Sequence, residues 1–297
     1  MECGIMIRMY DQELLQQAEA ILGEHIKGVT NLLTSTSHKI DKSNESKIIK
    51  TLVMYLAPAT SAGLKTRTGK LINICGMETT CVKICLGIAS GRMNQGIARI
   101  DTGQFDWSLS SVSQAMLKRT RLFIENRPAF YERLYFEIDR ALSIAHKNNM
   151  RIAVRLNGTS DIRWESNNPE LFKRYPQITY YDYTKYPIAQ RLKALALDNY
   201  HLTYSFTNNN DDSLQHARQY LAANHNVAVV FGDRLPDVFL GYQVTDADRH
   251  DMRFIDNEEL NIKTALIAGL IAKGQAKNPK HDGGFVVRPN DIDRLVA

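Results

Sequence analysis

Apolar positions along this chain recur at two spacings, and the changes between them divide it into elements. In residues 11–27, Leu14, Leu15, Ala18, Ile21 and Leu22 fall on one helical stripe, which predicts an amphipathic helix near the start. Residues 35–46 (STSHKIDKSNES) are polar and loop-like. An apolar run at 52–56, ended by Ala57-Pro58, reads as a strand. The short β-branched stretch 71–75 (LINIC), bounded by Gly69-Lys70, reads as another, so Cys75 is expected where a strand turns into a loop. Beyond a glycine-rich stretch holding Gly87, Gly91, Gly96 and Gly103, helical spacing returns over 111–125 and 128–148. Pro128 suits a first helical turn, and Phe130, Leu134, Ile138, Ala141 and Ala145 mark a buried stripe.

From residue 151 strands and helices alternate. Strands are expected at 151–157, 178–182, 201–206, 227–231 and 238–244, with helices at 169–174, 187–198 and 213–223. Such alternation argues for βαβ units and a parallel sheet. Right-handed crossovers then place every strand-to-helix loop on one edge. Six or seven strands favour a partial or distorted (β/α) barrel over a complete one. The expected organisation is a helical and loop extension over residues 1–50, followed by a single α/β barrel-like domain over 51–297.

Composition supports a globular chain. Of 297 residues, 44% are hydrophobic and 23% charged, close to the globular average, which excludes a disordered or disulfide-stapled chain. The formal net charge of +5 is compatible with an anionic substrate or nucleic acid without demanding either. No window approaches the roughly 20 apolar residues that span a bilayer, and the acidic start MECGIMIRMYDQELLQQ does not read as a secretory signal. A cytoplasmic location without membrane attachment is expected.

Three of the four cysteines lie within eleven residues, the pattern of a metal-ligand cluster in a reducing compartment. In Cys75-Gly-Met-Glu-Thr-Thr-Cys81-Val-Lys-Ile-Cys85, the last two share one face if a helix starts there. Structural zinc favours CxxC pairs and four ligands, a poor match. Three thiolates suit a [4Fe–4S] cluster with one iron left open to a substrate or S-adenosylmethionine. A cysteine loop after an early barrel strand is where radical S-adenosylmethionine enzymes hold theirs, although their spacing of three residues then two is absent. Zinc completed by a further His, Asp or Cys, and ordinary buried thiols, stay open as alternatives. Cys3 stands apart as a bystander.

Polar residues gather at successive strand ends, where parallel sheets bind ligands. Arg155, Asn157, Thr159, Ser160 and Asp161 form one group. It reads equally well as a substrate site or as a turn with a helix cap. Asp182 and Lys185 offer a carboxylate and an ammonium on the next strand, either as acid–base and anion-anchoring groups or as a salt bridge. Ser205, Thr207 and Asn208, then Gly232-Asp233-Arg234, continue the series. Residues 245–256 (TDADRHDMRFID) are dense in charge, and Asp251 and Arg253 are candidate substrate contacts there. Four carboxylates with one histidine also suit a divalent cation, but no EF-hand order is present. The closing Gly-Lys-Ser/Thr of a P-loop is absent near Lys273-Gly274.

Several strings together resemble the phage gene product 88 family, from about residue 30 to residue 287. They are Leu56-Ala57-Pro58-Ala59 with Ser61-Ala62-Gly63, the cysteine block through Arg92, Arg155 to Asp161 with Trp164-Glu165, His250 to Phe254, and Ala272-Lys273-Gly274. The family often reads Leu-Asn-Thr-Ala-Gly-Arg-Gly after the third cysteine, whereas this chain has Gly87 and Ser90 and an insertion-like stretch at 100–110. The resemblance implies an origin in phages or mobile elements, hence a host cytoplasm, and treats the cysteine block and Asn157 to Asp161 as one site. The leading expectation is an iron–sulfur enzyme in which Asn157, Thr159, Asp161, Asp182 and Lys185 bind S-adenosylmethionine and a substrate of unspecified kind. A zinc-braced nucleic-acid- or protein-binding factor using Lys118-Arg119-Thr120-Arg121 is the alternative. A nucleotide- or base-modifying barrel with Asp161 as acid–base or nucleophile is the third.

Overall fold

A computed structural model describes residues 31–35, 48–77, 80–82, 84–85, 110–208 and 211–296. The helix expected at 11–27, residues 36–46 of the polar loop expected at 35–46, and Cys3 lie outside the described residues.

The order is β1 (Leu33–Thr34), β2 (Ile49–Met54), α1 (Ser111–Glu125), α2 (Arg127–Lys147), β3 (Arg151–Arg155), α3 (Trp164–Asn167), α4 (Glu170–Arg174), β4 (Thr179–Thr184), α5 (Leu192–Leu195), β5 (Tyr200–Ser205), α6 (Asp211–Ala222), β6 (Val227–Phe231), β7 (Val238–Phe239), β8 (Tyr242–Asp246), α7 (Asp256–Glu259), β9 (Ile267–Ile271) and α8 (Pro289–Val296). All nine strands join one mixed sheet in the order β1-β2-β3-β4-β5-β6-β9-β8-β7. Neighbours from β2 through β8 are parallel, while β1 and β7 are short antiparallel edges. The α/β class is as expected, and the described sheet keeps two open ends.

Crossover handedness explains what covers each face. From β2 to β6 every new strand is added on the same side, so right-handed crossovers place their helices on one face. That outer face packs Leu52, Met54, Val154 and Tyr180 against Phe130, Leu134 and Ile138 of α2. The connection from β8 to β9 runs backwards along the sheet, so the same rule sends it across the opposite, inner face. Met252 of that crossover packs there with Ala153 and Tyr181, with Phe254 and Ile255 beside them.

Local chemistry sets the long helices. Ser110 caps α1 by accepting from Ser113 N at 3.1 Å. Asn126 caps α2 through Ala129 N at 3.3 Å, with Pro128 in the first turn. Asn149, at φ 52°, ends α2 in the left-handed region. Three expectations change. Residues 71–75 form no strand ladder; Leu71 makes one isolated antiparallel bridge to Lys65. The strand at 238–244 is a tight hairpin, turned by Leu240 and Gly241 at positive φ, as a two-residue turn requires. The helix at 187–198 is broken into a 3-10 turn and α5, with Arg191 between them.

One glycine holds the carboxyl edge together. Gly158 N donates to Met54 O at 2.9 Å, and a Cβ there would collide with that carbonyl and lie 2.8 Å from both Val53 Cγ1 and Tyr55 Cδ1. Since backbone cannot yield as a flexible side chain does, Gly158→Ala should lower stability by about 1–3 kcal/mol. A drop in urea midpoint at unchanged m-value checks it.

Candidate functional site

The carboxyl ends of β2 to β5 come together, and the cysteine loop lies across them. Cys75 Sγ accepts from Ala59 N at 3.2 Å and contacts Thr159 O at 3.7 Å, while Asp161 N donates to Ile74 O at 3.0 Å. The start of the cysteine block therefore rests against the Asn157 to Asp161 segment through Ile74 and Cys75. Gly76 permits it, because any Cβ would strike the Tyr186 hydroxyl. Cys75, Cys81 and Cys85 are half-buried. Cys75 interacts electrostatically with both Cys85 and Cys81, and Lys185 with Cys81, Asp161 and Cys75. Burial pushes the Cys75 thiol well above its ordinary value, opposed by the Ala59 N–H and reinforced by Cys85, Asp161 and Cys81. Lys185 is lowered by burial, against the pull of the thiols and Asp161. Among the described residues no group of three His, Cys, Asp or Glu side chains is already gathered to hold a metal ion. By donor chemistry the three thiols suit a soft metal or iron–sulfur group.

Beneath this edge runs a buried polar chain that sequence reasoning only half found. Asn157 Oδ1 accepts from Ser160 Oγ, Ile162 N and Trp164 Nε1 at 2.8–3.0 Å, and its Nδ2 donates to Ile162 O. Asp182 accepts from Asn157 N at 2.6 Å and Tyr200 OH at 2.9 Å. Tyr200 in turn meets Arg191, whose fully buried guanidinium pairs with Glu165 at 3.2 Å and Asp161 at 3.3 Å and donates to Thr184 Oγ1 at 2.9 Å. Asp161 Oδ2 accepts from Lys185 N at 2.7 Å. Thr159 Oγ1 donates to Leu56 O at 2.5 Å. Asn157, Thr159, Ser160, Asp161 and Asp182 thus spend their polar atoms on the scaffold of the site. Arg191 was not anticipated, because a single arginine in an ordinary amphipathic stretch carries no signal.

Lys185 leaves this chain and reaches along the edge. Its Nζ donates to Thr207 Oγ1 at 2.8 Å, Ser205 O at 3.0 Å and Ser205 Oγ at 3.3 Å, and it lies 4.8 Å from the Phe285 ring centre. Asp182 and Lys185 therefore serve different partners. Arg155, Asp251 and Arg253 gather elsewhere, on the inner face, where Arg155 pairs with Asp251 at 2.6 Å and Arg253 with Asp256 at 3.3 Å.

Two further groups of candidate residues take up partners of their own. The carboxylates of the acidic segment diverge: Asp248 pairs with Lys273 at 2.6 Å, Asp251 with Arg155 and Asp256 with Arg253. On α1, Thr120 is buried, Arg119 Nε donates to Asn31 O at 2.6 Å, and Arg121 pairs with Glu125. Lys118 and Arg121 stay exposed, three residues apart on α1.

Burial raises Asp182 to about 7, with the Asn157 N–H, Arg155 and Tyr200 opposing. A carboxyl raised on folding contributes stability that is present below about pH 4 and lost as pH rises through about 7. Asp182→Asn should remove this part, worth up to roughly 4 kcal/mol, flattening stability measured between pH 5 and 8. Arg191→Leu would leave Glu165 and Asp161 buried without their cation, at a cost of about 3–5 kcal/mol in chemical denaturation.

Among the described residues no helix is long and apolar enough to cross a membrane. Neither the curated proteins nor the solved structures contain a match to this chain. A family model described as Gene product 88 matches residues 30–288, which spans the sheet, the cysteine loop and the buried polar chain. This protein belongs to the phage Gene product 88 family.

Proposed function

We propose that this chain is an enzyme of the host cytoplasm in which Cys75, Cys81 and Cys85 hold a [4Fe–4S] cluster at the carboxyl edge of a partial βα barrel. The observation that carries the reading is the gathering of three half-buried thiols at that edge, where Cys75 Sγ rests on the Ala59 N–H and the Thr159 carbonyl, with Lys185 in the electrostatic neighbourhood of Cys75 and Cys81. A buried thiol such as Cys75 is disfavoured as an isolated thiolate, and bonding to metal offsets that cost. Such a cluster supplies one-electron chemistry and leaves one iron without a protein ligand, open to S-adenosylmethionine or a substrate.

The chain's own residues supply placement. Ala59 N–H donates to the first sulfur, and hydrogen bonds of this kind raise the potential of thiolate-held clusters. Lys185, fixed by Thr207 and Ser205, adds a positive charge beside the sulfurs and attracts an anionic substrate group to them. Arg191 holds Asp161, and through it the loop against which Cys75 rests. Support for the partial barrel comes from the sequential order of β2 to β6 and from an inner face that carries buried polar side chains at Arg155, Tyr181 and Tyr183.

Anaerobic purification followed by iron, sulfide and zinc analysis tests the reading. About four irons and four sulfides per chain, with broad absorption near ~400 nm, are expected. Single Cys75→Ser, Cys81→Ser and Cys85→Ser variants should each lose most of that absorption. One zinc without iron would replace the cluster by a structural brace, and a metal-free protein that resists reconstitution would end the proposal.

A further inference from the structure

We infer that residues 64–72 form a basic arm that grips the phosphate backbone of a nucleic acid beside the carboxyl edge of the sheet. The arm's role does not depend on what the thiols hold.

Local chemistry makes the arm. Thr66 N donates to Lys70 O and Ile72 N to Leu64 O, both at 2.8 Å, and Lys65 and Leu71 form an antiparallel bridge. Arg67, Thr68 and Gly69 make a three-residue tip. There Gly69 N donates to Thr66 O at 3.0 Å, and Gly69 takes φ 80°, the left-handed position that closes such a loop. The Thr66 hydroxyl accepts from Lys70 N at 3.2 Å and so braces the tip. The root is fixed as well: Ile74 N donates to Ala59 O at 3.2 Å, and Ile74 packs in the apolar core with Leu122 and Phe123.

Charge on the arm has one sign. Lys65, Arg67 and Lys70 are all exposed, and among the described residues no carboxylate pairs with any of them. Residues 48–77 contain neither Asp nor Glu. Asp161 and Glu165, at the end of the neighbouring strand, are turned inward onto Arg191. Arg163, between them in the chain, lies over the Tyr186 ring at 5.1 Å, and the hydroxyl of that ring abuts Gly76 next to Cys75. Exposed acids on this edge, such as Asp211, Asp212 and Asp233, stand after β5 and β6, beyond β4 in the strand order.

This chemistry favours a phosphate backbone over other anionic surfaces. Lysine and arginine on a narrow arm, with the Thr66 and Thr68 hydroxyls 2.9 Å apart beside them, are the groups that contact phosphates along a strand. A membrane-binding tip needs apolar or aromatic side chains to enter the lipid. Here the tip is Arg67-Thr68-Gly69, and Leu71, 43% exposed, is the one large apolar side chain exposed on the arm. An acidic protein partner would need an apolar contact core that one leucine does not supply.

Fluorescence anisotropy with a labelled duplex and a labelled single strand of about 20 nucleotides tests the arm, in salt rising from about 50 to 200 mM. The full chain should bind at least one probe, with an affinity that falls as salt rises. A Lys65→Gln/Arg67→Gln/Lys70→Gln variant should keep the wild-type melting temperature, because the three side chains are exposed, yet bind at least tenfold more weakly. Its log–log salt slope should be shallower by about two to three, the counterions that three cations release. A Lys147→Gln/Lys193→Gln/Lys263→Gln variant removes three exposed charges elsewhere and should bind as the wild type does. Four results would each overturn the inference: no binding of either probe at the lowest salt, unchanged affinity in the arm variant, equal losses in the two variants, or equally tight binding of polyglutamate or anionic vesicles.

Discussion

A single buried cation organises the carboxyl edge of this sheet. Arg191 has no exposed surface, yet it bridges Glu165 on α3, Asp161 in the loop after β3, Thr184 at the end of β4 and Tyr200 at the start of β5. Desolvating a guanidinium is costly, and only paired carboxylates and hydroxyls in fixed positions offset it. Burial works against its charge, but Tyr200, Glu165 and Asp161 together keep it firmly protonated. Its partners are thereby fixed relative to one another. Asp161 then positions Lys185 N and, through its own N–H, the Ile74 carbonyl next to Cys75.

The two faces of the sheet divide the work. On the outer face, right-handed crossovers lay down helices, and their apolar core surrounds the Asn157, Asp182, Tyr200 and Arg191 chain. Alternation along β4 puts Tyr180, Asp182 and Thr184 on that side and Tyr181 and Tyr183 on the other. The inner face is closed by the returning β8–β9 crossover, whose Arg253 and Asp251 bring charges to the face opposite α2.

Aligned ends of parallel strands give a loop such as 75–85 a floor of backbone groups to rest on, here the Ala59 N–H and the Thr159 carbonyl. The glycines serve that contact. Gly158 lets β3 approach the end of β2, and Gly76 leaves room for the Tyr186 hydroxyl. Both explain why small residues stand beside the polar ones at this edge.

Periodicity determined the α/β class, the two long helices with the buried stripe of the second, and the succession of strands from 151 to 231. Those features depend on neighbours within a few residues, which local spacing records. Cysteine spacing and the string Arg155 to Asp161 drew attention to one edge, since strand ends in a parallel sheet share an edge by handedness, and there Cys75 rests against Thr159. Tertiary structure decided the rest. It alone showed that Asn157 and Asp182 are turned into the scaffold, that Arg155 faces Asp251 across 96 residues of sequence, and that Arg191 joins four elements. Strand β9 and the backward crossover before it were not foreseen, because short apolar runs do not announce which strands they will lie between. A buried arginine and an exposed one look alike in a sequence; what distinguishes them is the set of distant partners that only the folded chain brings within hydrogen-bonding distance.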